Sequence, residues 1–166
     1  MRMLAICVVL LSHFAFPQNA PTSEDNRATA YCDFDDGQEI SLRYSNAAAT
    51  SKDEPHNGRV WMPGGSAMTL FAGAALTLNN AAVPAGAYGV YVIPNKKEWT
   101  LIVNKNVNAN SAYDEKQDLA RAPMELGEVN SPDKQLLVSF AHTGPKVCSI
   151  RLYYGKVGAF AEFHEQ

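Results

Sequence analysis

The sequence predicts an all-β protein, an antiparallel β-sandwich of about ten strands with one short helical turn near residues 113–121. Three features of the 166-residue chain support this fold class. Apolar and polar residues alternate along several short segments, turn residues recur about every 8–12 positions, and helical periodicity is nearly absent. This pattern is typical of sheets that bury one face and expose the other.

The clearest alternation lies in EISLRYS (39–45), EWTLIV (98–103) and LLVSF (136–140), where apolar residues occupy every second position. Asp36-Gly37 predicts a hairpin turn between the first two strands, and Pro84-Ala85-Gly86 precedes the strand AYGVYVI. A turn or two of helix fits only SAYDEKQDLARA (111–122). The segment NAAATSKDEPHN (46–57) is small, polar and unpatterned, which indicates an exposed loop.

The N-terminal residues 1–20 have the layout of a secretory signal peptide. Arg2 precedes an apolar run from Leu4 to Phe16, and Ala20 is a small residue near which we expect cleavage. The run is too short to span a bilayer comfortably, and a buried helix or strand is the alternative. We therefore expect an exported protein, periplasmic or extracellular, with a disordered segment at 21–29, a single β-sandwich domain at 30–163 and a tail at 164–166.

The charge of the chain is mildly acidic. It has 14 basic and 17 acidic residues, a formal net charge of −3, which becomes −4 when Arg2 leaves with the signal peptide. This balance argues against nucleic acid or an anionic membrane as the main partner. We expect no membrane span in the mature protein, and no motif indicates a metal or an organic cofactor.

Cys32 and Cys148 are the cysteines that remain after removal of residues 1–20. An even number of cysteines in an exported chain favours a disulfide. Cys32 shares its strand face with Ala30 and Phe34, and Cys148 shares its face with Ile150, so both thiols point towards the apolar side. We therefore predict a Cys32–Cys148 bridge, with two buried free thiols as the alternative.

The stretch GRVWMPGGSAMT (58–69) is the first candidate binding site, with Trp61, Gly64, Gly65 and Ser66 as its residues. It lacks the lysine of a phosphate-binding loop and the second glycine of a nucleophile elbow. A tight turn between two strands is the first interpretation, and a ligand-facing loop is the second. Trp61, beside the glycines, is a candidate for exposure.

The other aromatic side chains are assigned to core packing rather than to a carbohydrate-binding platform, because most lie on patterned strands. These residues are Tyr88, Tyr91, Trp99, Tyr153 and Tyr154.

Polar clusters give weaker signals. Asp114, Glu115 and Asp118 could bind a cation, but a charged helical turn capped by Asp114 is the better account.

The acidic cluster DFDDGQE (33–39) is interpreted as a solvated hairpin turn rather than a calcium loop. No histidine has the spacing of a zinc site, and His142 is a candidate binding residue at the rim of the sheet.

Three segments together carry a family resemblance: VWMPGGSAMTL, VPAGAYGVYVIPNKKEWTLIVNK and AYDEKQDLARAPM. The chain resembles an uncharacterised family of exported bacterial domains of unknown function, over roughly residues 30–163. The resemblance implies a single all-β domain outside the cytoplasm, and it supplies no activity, substrate or cofactor.

The chain also departs from this family. Many members have Trp-Arg-x-Gly-Ala-Asn-Glu-Ala-Thr where this chain has WMPGGSAMT (61–69), so Met62, Ser66 and Ala67 replace the three polar residues. A polar site there would have lost its charged members. The segment that contains Tyr113 and Asp114 is retained, which makes both candidate binding residues. Some relatives share a cysteine near each end, which supports the predicted bridge.

The sequence lacks a complete catalytic motif. We therefore expect a non-catalytic module that binds a small ligand, a glycan or an envelope component. A protein–protein or structural envelope component is the alternative. A hydrolase that gathers His142, Asp114, Glu115 or Ser66 in space is the third hypothesis.

Overall fold

The computed structural model describes residues 26–46, 54–62, 65–109, 111–129 and 135–166. These residues form an all-β domain with antiparallel pairing throughout, together with a 3-10 turn at Glu115–Gln117. The strands are β1 Arg27–Asp33, β2 Glu39–Ser45, β3 Met68–Ala72, β4 Leu76–Leu78, β5 Ala81–Val83, β6 Gly86–Ile93, β7 Trp99–Asn104, β8 Asp118–Glu128, β9 Leu137–Gly144, β10 Val147–Tyr154 and β11 Val157–Glu165.

The strands belong to one sheet rather than to the two separate sheets of a sandwich. Its order is β1-β2-β3-β6-β7-β8-β11-β10-β9, and the β4–β5 hairpin attaches to β11 through β4. The terminal strands β1 and β9 come into contact, so the sheet is nearly closed like a barrel. The predicted sandwich is therefore corrected, while the all-β class is confirmed. Alternation within strands cannot separate these architectures, because both bury one face of every strand.

The corner of the sheet lies in β8. Its residues Asp118–Met124 pair with β7, and its residues Glu125–Glu128 pair with β11. One strand thus serves two halves of the sheet, and the backbone hydrogen bonds continue across the bend. The two halves then face each other and bury their inner side chains in one core.

The core contains the apolar residues that alternate along the strands. Fully buried members include Ile40, Leu42, Leu70, Leu101, Met124, Ile150 and Phe163. Each large apolar side chain removed from water stabilises the fold by roughly 1.5–3 kcal/mol before conformational entropy is counted.

The predicted disulfide is confirmed. Cys32 on β1 is bonded to Cys148 on β10, with their Cα atoms 6.3 Å apart and both residues buried. Beside it, the Asp35 amide donates a 3.1 Å hydrogen bond to the Pro145 carbonyl. The bridge therefore joins the beginning of the chain to the β9–β10 hairpin and fixes the near-closure of the sheet.

The predicted turn at Asp36-Gly37 is also confirmed. The Phe34 amide donates to the Gln38 carbonyl at 2.8 Å, and Gly37 has a φ of 83°, a value that favours glycine. A second tight hairpin joins β4 to β5 through Asn79 and Asn80, which have φ values of 47° and 65°. Asparagine is the residue that tolerates this left-handed region best after glycine.

The short helical turn predicted near residues 113–121 is present as the 3-10 turn Glu115–Gln117, and it is shorter than the predicted range. The helical turn ends at Gln117, and β8 begins at Asp118. Ala120 and Ala122 are buried with Met124 in strict alternation, so pairing with β7 overrides the helix propensity of this segment.

Strands form both ends of the described domain. β1 begins at Arg27, and β11 extends through His164 to Glu165, where the Glu165 amide donates to the Lys146 carbonyl at 2.8 Å. The expected signal peptide, and most of the expected loop at 46–57, lie outside the described residues. Within the described ranges, no helix has the length and apolar character that crossing a membrane requires.

Candidate functional site

Two of the predicted segments meet on the outer face of β6 and β7. The Ala67 amide donates to the Ala109 carbonyl at 3.3 Å, and both residues cover the fully buried Tyr91 and Ile102. The Tyr113 ring packs edge-on against the Tyr91 ring, with 5.0 Å between their centroids. The structure therefore brings the glycine turn and the Tyr113 segment together, as a small second apolar cluster.

Trp61 is not exposed. It is 5% accessible, and its ring packs edge-on against Trp99 at 5.5 Å and Tyr154 at 4.9 Å. Its amide donates to the Val92 carbonyl at 2.7 Å, and the Val92 amide donates back at 3.3 Å. This backbone bridge to β6 directs the indole into the core, so Trp61 cannot offer a platform to a ligand.

The turn interpretation of the glycine stretch is supported. Gly65 has a φ of 81°, and its amide donates to the Met62 carbonyl at 3.0 Å. Ser66 is half-buried beside it. Gly64 lies outside the described residues.

Asp118 is the centre of a polar network. Its carboxylate accepts hydrogen bonds from Asn104 Nδ2, Tyr113 OH and Arg121 Nε, each at 2.7 Å. Arg121 Nη2 also donates to Tyr113 OH at 2.8 Å and to Glu115 Oε1 at 2.9 Å. We call these five residues the Asp118 network. It ties the 3-10 turn and the Tyr113 segment to β7 and β8.

Asp114 caps the 3-10 turn, as predicted. Its side chain accepts from the Lys116 amide at 3.0 Å and from Gln117 Nε2 at 3.3 Å, and its carbonyl accepts from Asn104 Nδ2 at 2.9 Å. The alternative of a cation site at Asp114, Glu115 and Asp118 finds no support, because no group of potential ligands with metal-binding geometry occurs in the part of the chain that the structure describes.

The electrostatics of the Asp118 network favour a structural role. Burial, and then the hydrogen bond to Asp118, raise the pKa of Tyr113 to about 12. The hydrogen bond to Asp118 raises the pKa of Arg121, and burial with the nearby Asp118 charge raises the pKa of Tyr91. Both tyrosines are therefore neutral and Arg121 charged at ordinary pH. A network whose donors and acceptors already pair internally stabilises a loop better than it binds a ligand.

His142 lies apart from the Asp118 network. It is exposed on β9, and its Nε2 is 3.3 Å from Asp35 Oδ1. Among the described residues, no hydrogen bond or ion pair links His142 to Ser66, Asp114 or Glu115. The combination required by the hydrolase hypothesis is not assembled.

A concave surface lies elsewhere, on the solvent face of β8, β11 and β10. It has a volume of about 1220 Å³, and we call it the outer groove. Its lining includes Glu125 on β8, Phe160 and Glu162 on β11, and Arg151 and Tyr153 on β10. They alternate with core-facing neighbours along each strand, so they project away from the core.

Phe160 forms part of the floor of the outer groove. A Cβ atom at Gly158 would lie 2.8 Å from Phe160 Cζ, and one at Gly127 would lie 3.1 Å from Phe160 Cε2. The two glycines face each other on β11 and β8 and allow the ring to lie against the backbone. Tyr153 packs edge-on against Phe160 at 6.0 Å.

A carboxylate and a guanidinium flank this ring. Glu125 on β8 and Arg151 on β10 are the register partners of Phe160 on either side. Neighbouring strands are about 4.8 Å apart, so the three side chains form one row across the groove. Arg151 is half-buried, and within the described residues it has neither an ion pair nor a side-chain hydrogen bond.

Sequence reasoning missed the outer groove. The sequence predicts that Tyr153 packs in the core, yet Tyr153 is half-exposed in the groove. Trp61, a candidate for exposure, is buried in the core instead. The available signal is the alternation itself, since Arg151 and Tyr153 occupy the face opposite to Ile150 and Leu152. That pattern places the residues outside but cannot indicate that this outside surface is concave.

Comparison with known proteins adds one match. The model of the family described as protein of unknown function (DUF2911) matches residues 26–162, which include the Asp118 network and the residues that define the outer groove. No curated protein and no solved structure matches the chain significantly. With a match that spans nearly the whole β domain, this chain belongs to the DUF2911 family of proteins of unknown function.

Proposed function

We propose that this protein is an exported, non-catalytic binding domain that holds a small ligand in the outer groove. The observation that carries the proposal is the row of Glu125, Phe160 and Arg151 across a concavity of about 1220 Å³. Ligand sites are typically concave and partly aromatic, with a few convergent polar groups. The outer groove combines these properties.

Arg151 strengthens this assignment. Arg151 is a partly buried residue whose guanidinium has no partner among the described residues, so its hydrogen-bonding capacity is left to water or a ligand. The surface arginine Arg121, in contrast, already bonds to three groups of the Asp118 network. The outer groove therefore offers free donors where the Asp118 network does not.

Export is supported by two features. Residues 1–20 carry the signal-peptide pattern, and disulfides persist mainly in oxidising compartments such as the periplasm. The intact mass of the protein isolated from cells should correspond to a chain cleaved near Ala20, with Cys32 and Cys148 oxidised. A cellular protein that retains Met1 would contradict the export part of the proposal.

The groove is tested with the protein purified after export, with its disulfide intact. Thermal-shift measurements with mono- and oligosaccharides, short peptides and divalent metals identify probes that stabilise it. We expect a stabilising probe to shift the backbone amide resonances of β10 and β11. Substitution Arg151→Gln should weaken its binding at least tenfold, or about 1.4 kcal/mol.

Arg43→Gln is the matched control, because Arg43 is an exposed arginine on β2, in the other half of the sheet. It should leave binding unchanged. Equal losses for both variants, or resonance shifts confined to residues outside the outer groove, would contradict the proposed site.

A second candidate function is contact with another envelope protein. Tyr31 and Phe71 are 65% and 39% exposed and are both register partners of Ser41 on β2. The Arg43 guanidinium lies 5.5 Å from the Phe71 ring centroid. Exposed tyrosine, phenylalanine and arginine are enriched in protein interfaces. Crosslinking in intact cells should capture a partner with the native protein and lose it with Tyr31→Ala.

A further inference from the structure

We infer that the ligand of the outer groove is a neutral carbohydrate chain, an inference that rests on the proposed binding function. The sequence and the family match assign no ligand class to these residues. The inference follows from four properties of the groove: its aromatic floor, the polar groups beside it, its mixed charge and its size.

The floor suits the apolar face of a sugar ring. Phe160 lies against Gly127 and Gly158 and is contacted by Tyr153, so its position is fixed before a ligand arrives. A preorganised aromatic side chain loses little conformational entropy on binding. The C–H groups on one face of a pyranose can pack on such a ring while its hydroxyl groups point outwards to the sides.

The polar neighbours match these hydroxyl groups. A sugar hydroxyl both donates and accepts hydrogen bonds, and the row presents an acceptor, Glu125, on one side of Phe160 and a donor, Arg151, on the other. A hydrocarbon chain in the same place would remove both charged groups from water without giving them partners, which is costly. The outer groove therefore excludes a purely apolar lipid tail.

The charges favour a neutral ligand. Lys97 and Arg151 are opposed by Glu98, Glu125 and Glu162, so both signs are interspersed around the groove. A polyanion would meet three carboxylates, and a polycation would meet two basic groups. A neutral polyol can form charge-assisted hydrogen bonds with either sign.

A peptide fits less well. Extended peptides commonly bind by adding a strand to a free sheet edge, where main-chain groups are unpaired. The floor of the outer groove is the face of β11, which is paired with β10 on one side and with β8 and β4 on the other. On that second side, Ala161 and Glu162 lie between the stretches paired with β8 and β4, a gap too short for an added strand. Side chains therefore supply most of the available contacts, which suits hydroxyl groups better than a peptide backbone.

The size favours several sugar units. The volume of about 1220 Å³ exceeds the roughly 300–1,000 Å³ that is usual for pockets of drug-sized ligands. A single sugar ring would cover Phe160 and leave most of the groove open. We therefore expect affinity to rise with chain length from a monosaccharide to an oligosaccharide.

The test is isothermal titration of the exported, disulfide-bonded protein with defined probes. These are cello-, malto- and chito-oligosaccharides of increasing length, polygalacturonate as an acidic polysaccharide, and a mixture of short peptides. We expect at least one neutral series to bind, with resonance shifts in β10 and β11. Tyr153→Leu and Glu125→Gln should each weaken that binding at least fivefold.

Tyr88→Leu is the matched control for Tyr153→Leu, because Tyr88 is a half-buried tyrosine on β6 outside the outer groove. It should not change the affinity. Circular dichroism and thermal unfolding establish whether each variant is folded. If Tyr153→Leu does not fold, Glu125→Gln still tests the outer groove.

The outcomes separate the two proposals. If polygalacturonate or the peptides bind in the outer groove and the neutral series do not, the carbohydrate inference is overturned and the proposed binding function stands. If neutral sugars bind with equal affinity to wild type and both groove variants, the inference is also overturned. If no probe of any class perturbs β10 or β11, the proposed function fails together with the inference.

Discussion

Gly89 determines how closely the Tyr113 segment can approach the sheet. The Asn106 carbonyl oxygen lies directly over Gly89, and any Cβ atom at this position would collide with it. The absence of a side chain thus lets the chain after β7 cross the outer face of β6. This close approach positions Asn104 and Tyr113 for the Asp118 network.

Substitution Gly89→Ala is therefore expected to lower the free energy of unfolding by about 1–3 kcal/mol, as measured by urea denaturation. Gly144→Ala is the control, because a Cβ atom there would lie 3.5 Å from Val147 Cγ2, an ordinary contact. It should change stability by less than about 0.5 kcal/mol. If both substitutions changed the free energy of unfolding equally, the Asn106 carbonyl would be able to move away from residue 89 without loss of stability.

The Tyr113 hydroxyl donates to Asp118 and accepts from Arg121, beside the direct bond between Arg121 and Asp118. Substitution Tyr113→Phe removes one hydrogen bond to a charged carboxylate and should lower the free energy of unfolding by about 1.5–3 kcal/mol at neutral pH. Tyr88→Phe is a suitable control, because the Tyr88 hydroxyl donates to a neutral acceptor, the exposed Pro84 carbonyl. A smaller loss for Tyr113→Phe than for Tyr88→Phe would contradict a stabilising Asp118 network.

The raised pKa of Tyr113 predicts weaker stability in alkali. The ordinary pKa of tyrosine is 10.0, and that of Tyr113 in the folded protein is about 12. Between these values the unfolded chain releases the proton and the folded chain retains it, so the contribution of Tyr113 is complete below pH 10.0 and is lost as the pH rises towards 12. Urea midpoints measured across this window should fall more steeply for wild type than for Tyr113→Phe. Parallel declines would exclude the predicted linkage.

At the scale of elements, the Cys32–Cys148 bridge holds together strands that are remote in the sheet order. β1 is a terminal strand, and β10 lies next to the other terminal strand, β9. The cysteines are 116 positions apart, so the bridge greatly restricts the unfolded chain. It compensates for the missing hydrogen-bonded ladder where the sheet nearly closes.

The double substitution Cys32→Ser and Cys148→Ser should lower the free energy of unfolding by up to about 4–5 kcal/mol, measured by urea denaturation. Hydrogen exchange should accelerate most in β1 and β9. Reductant should destabilise wild type and leave the double variant unaffected, which serves as the control. A double variant with wild-type stability would mean that the facing strands hold the closure by packing alone.

The two-residue bridge between Trp61 and Val92 directs the Trp61 ring into the core. Trp61→Ala is expected to lower the free energy of unfolding by about 3–5 kcal/mol, because it removes a large buried ring that contacts Trp99 and Tyr154. Acrylamide should also quench the fluorescence of wild type weakly, since both tryptophans are at most 5% exposed. If Trp61→Ala lowered the free energy of unfolding by less than about 0.5 kcal/mol, the Trp61 ring would lie at the surface instead.

At the scale of the whole molecule, the two halves of the sheet have different outer faces. On the β6–β7 half, the glycine turn and the Asp118 network cover the sheet and complete a second apolar cluster. On the β8–β11–β10 half, the outer face is left open as the outer groove. The corner in β8 separates the covered face from the open one.

This division predicts how binding responds to salt. The outer groove carries both signs of charge and takes a neutral ligand, so no long-range attraction drives association. The dissociation constant of a bound neutral oligosaccharide should change less than about twofold when ionic strength is raised tenfold, as titration calorimetry can measure. A strong weakening by salt would indicate an ionic ligand.

Local chemistry accounts for the features that the sequence predicted correctly. Period-two alternation identified most strands, the parity of Cys32 and Cys148 placed both thiols inside, and Asp36-Gly37 and Asp114 marked a turn and a cap. Each of these depends on a residue and its near neighbours. Where local preferences compete, as between Asp118 and Ala122, the predicted helical range extends too far, because pairing with β7 is not a local property.

By itself, the sequence thus determined that the chain forms strands, which face of each strand is apolar, and that the two sulfur atoms can meet. The tertiary structure alone decided that one sheet bends at β8 into a nearly closed form, that Trp61 is enclosed, and that Tyr153 and Arg151 line a groove. The physical reason is that burial on one strand follows from local alternation, whereas curvature and concavity arise only when distant strands pair.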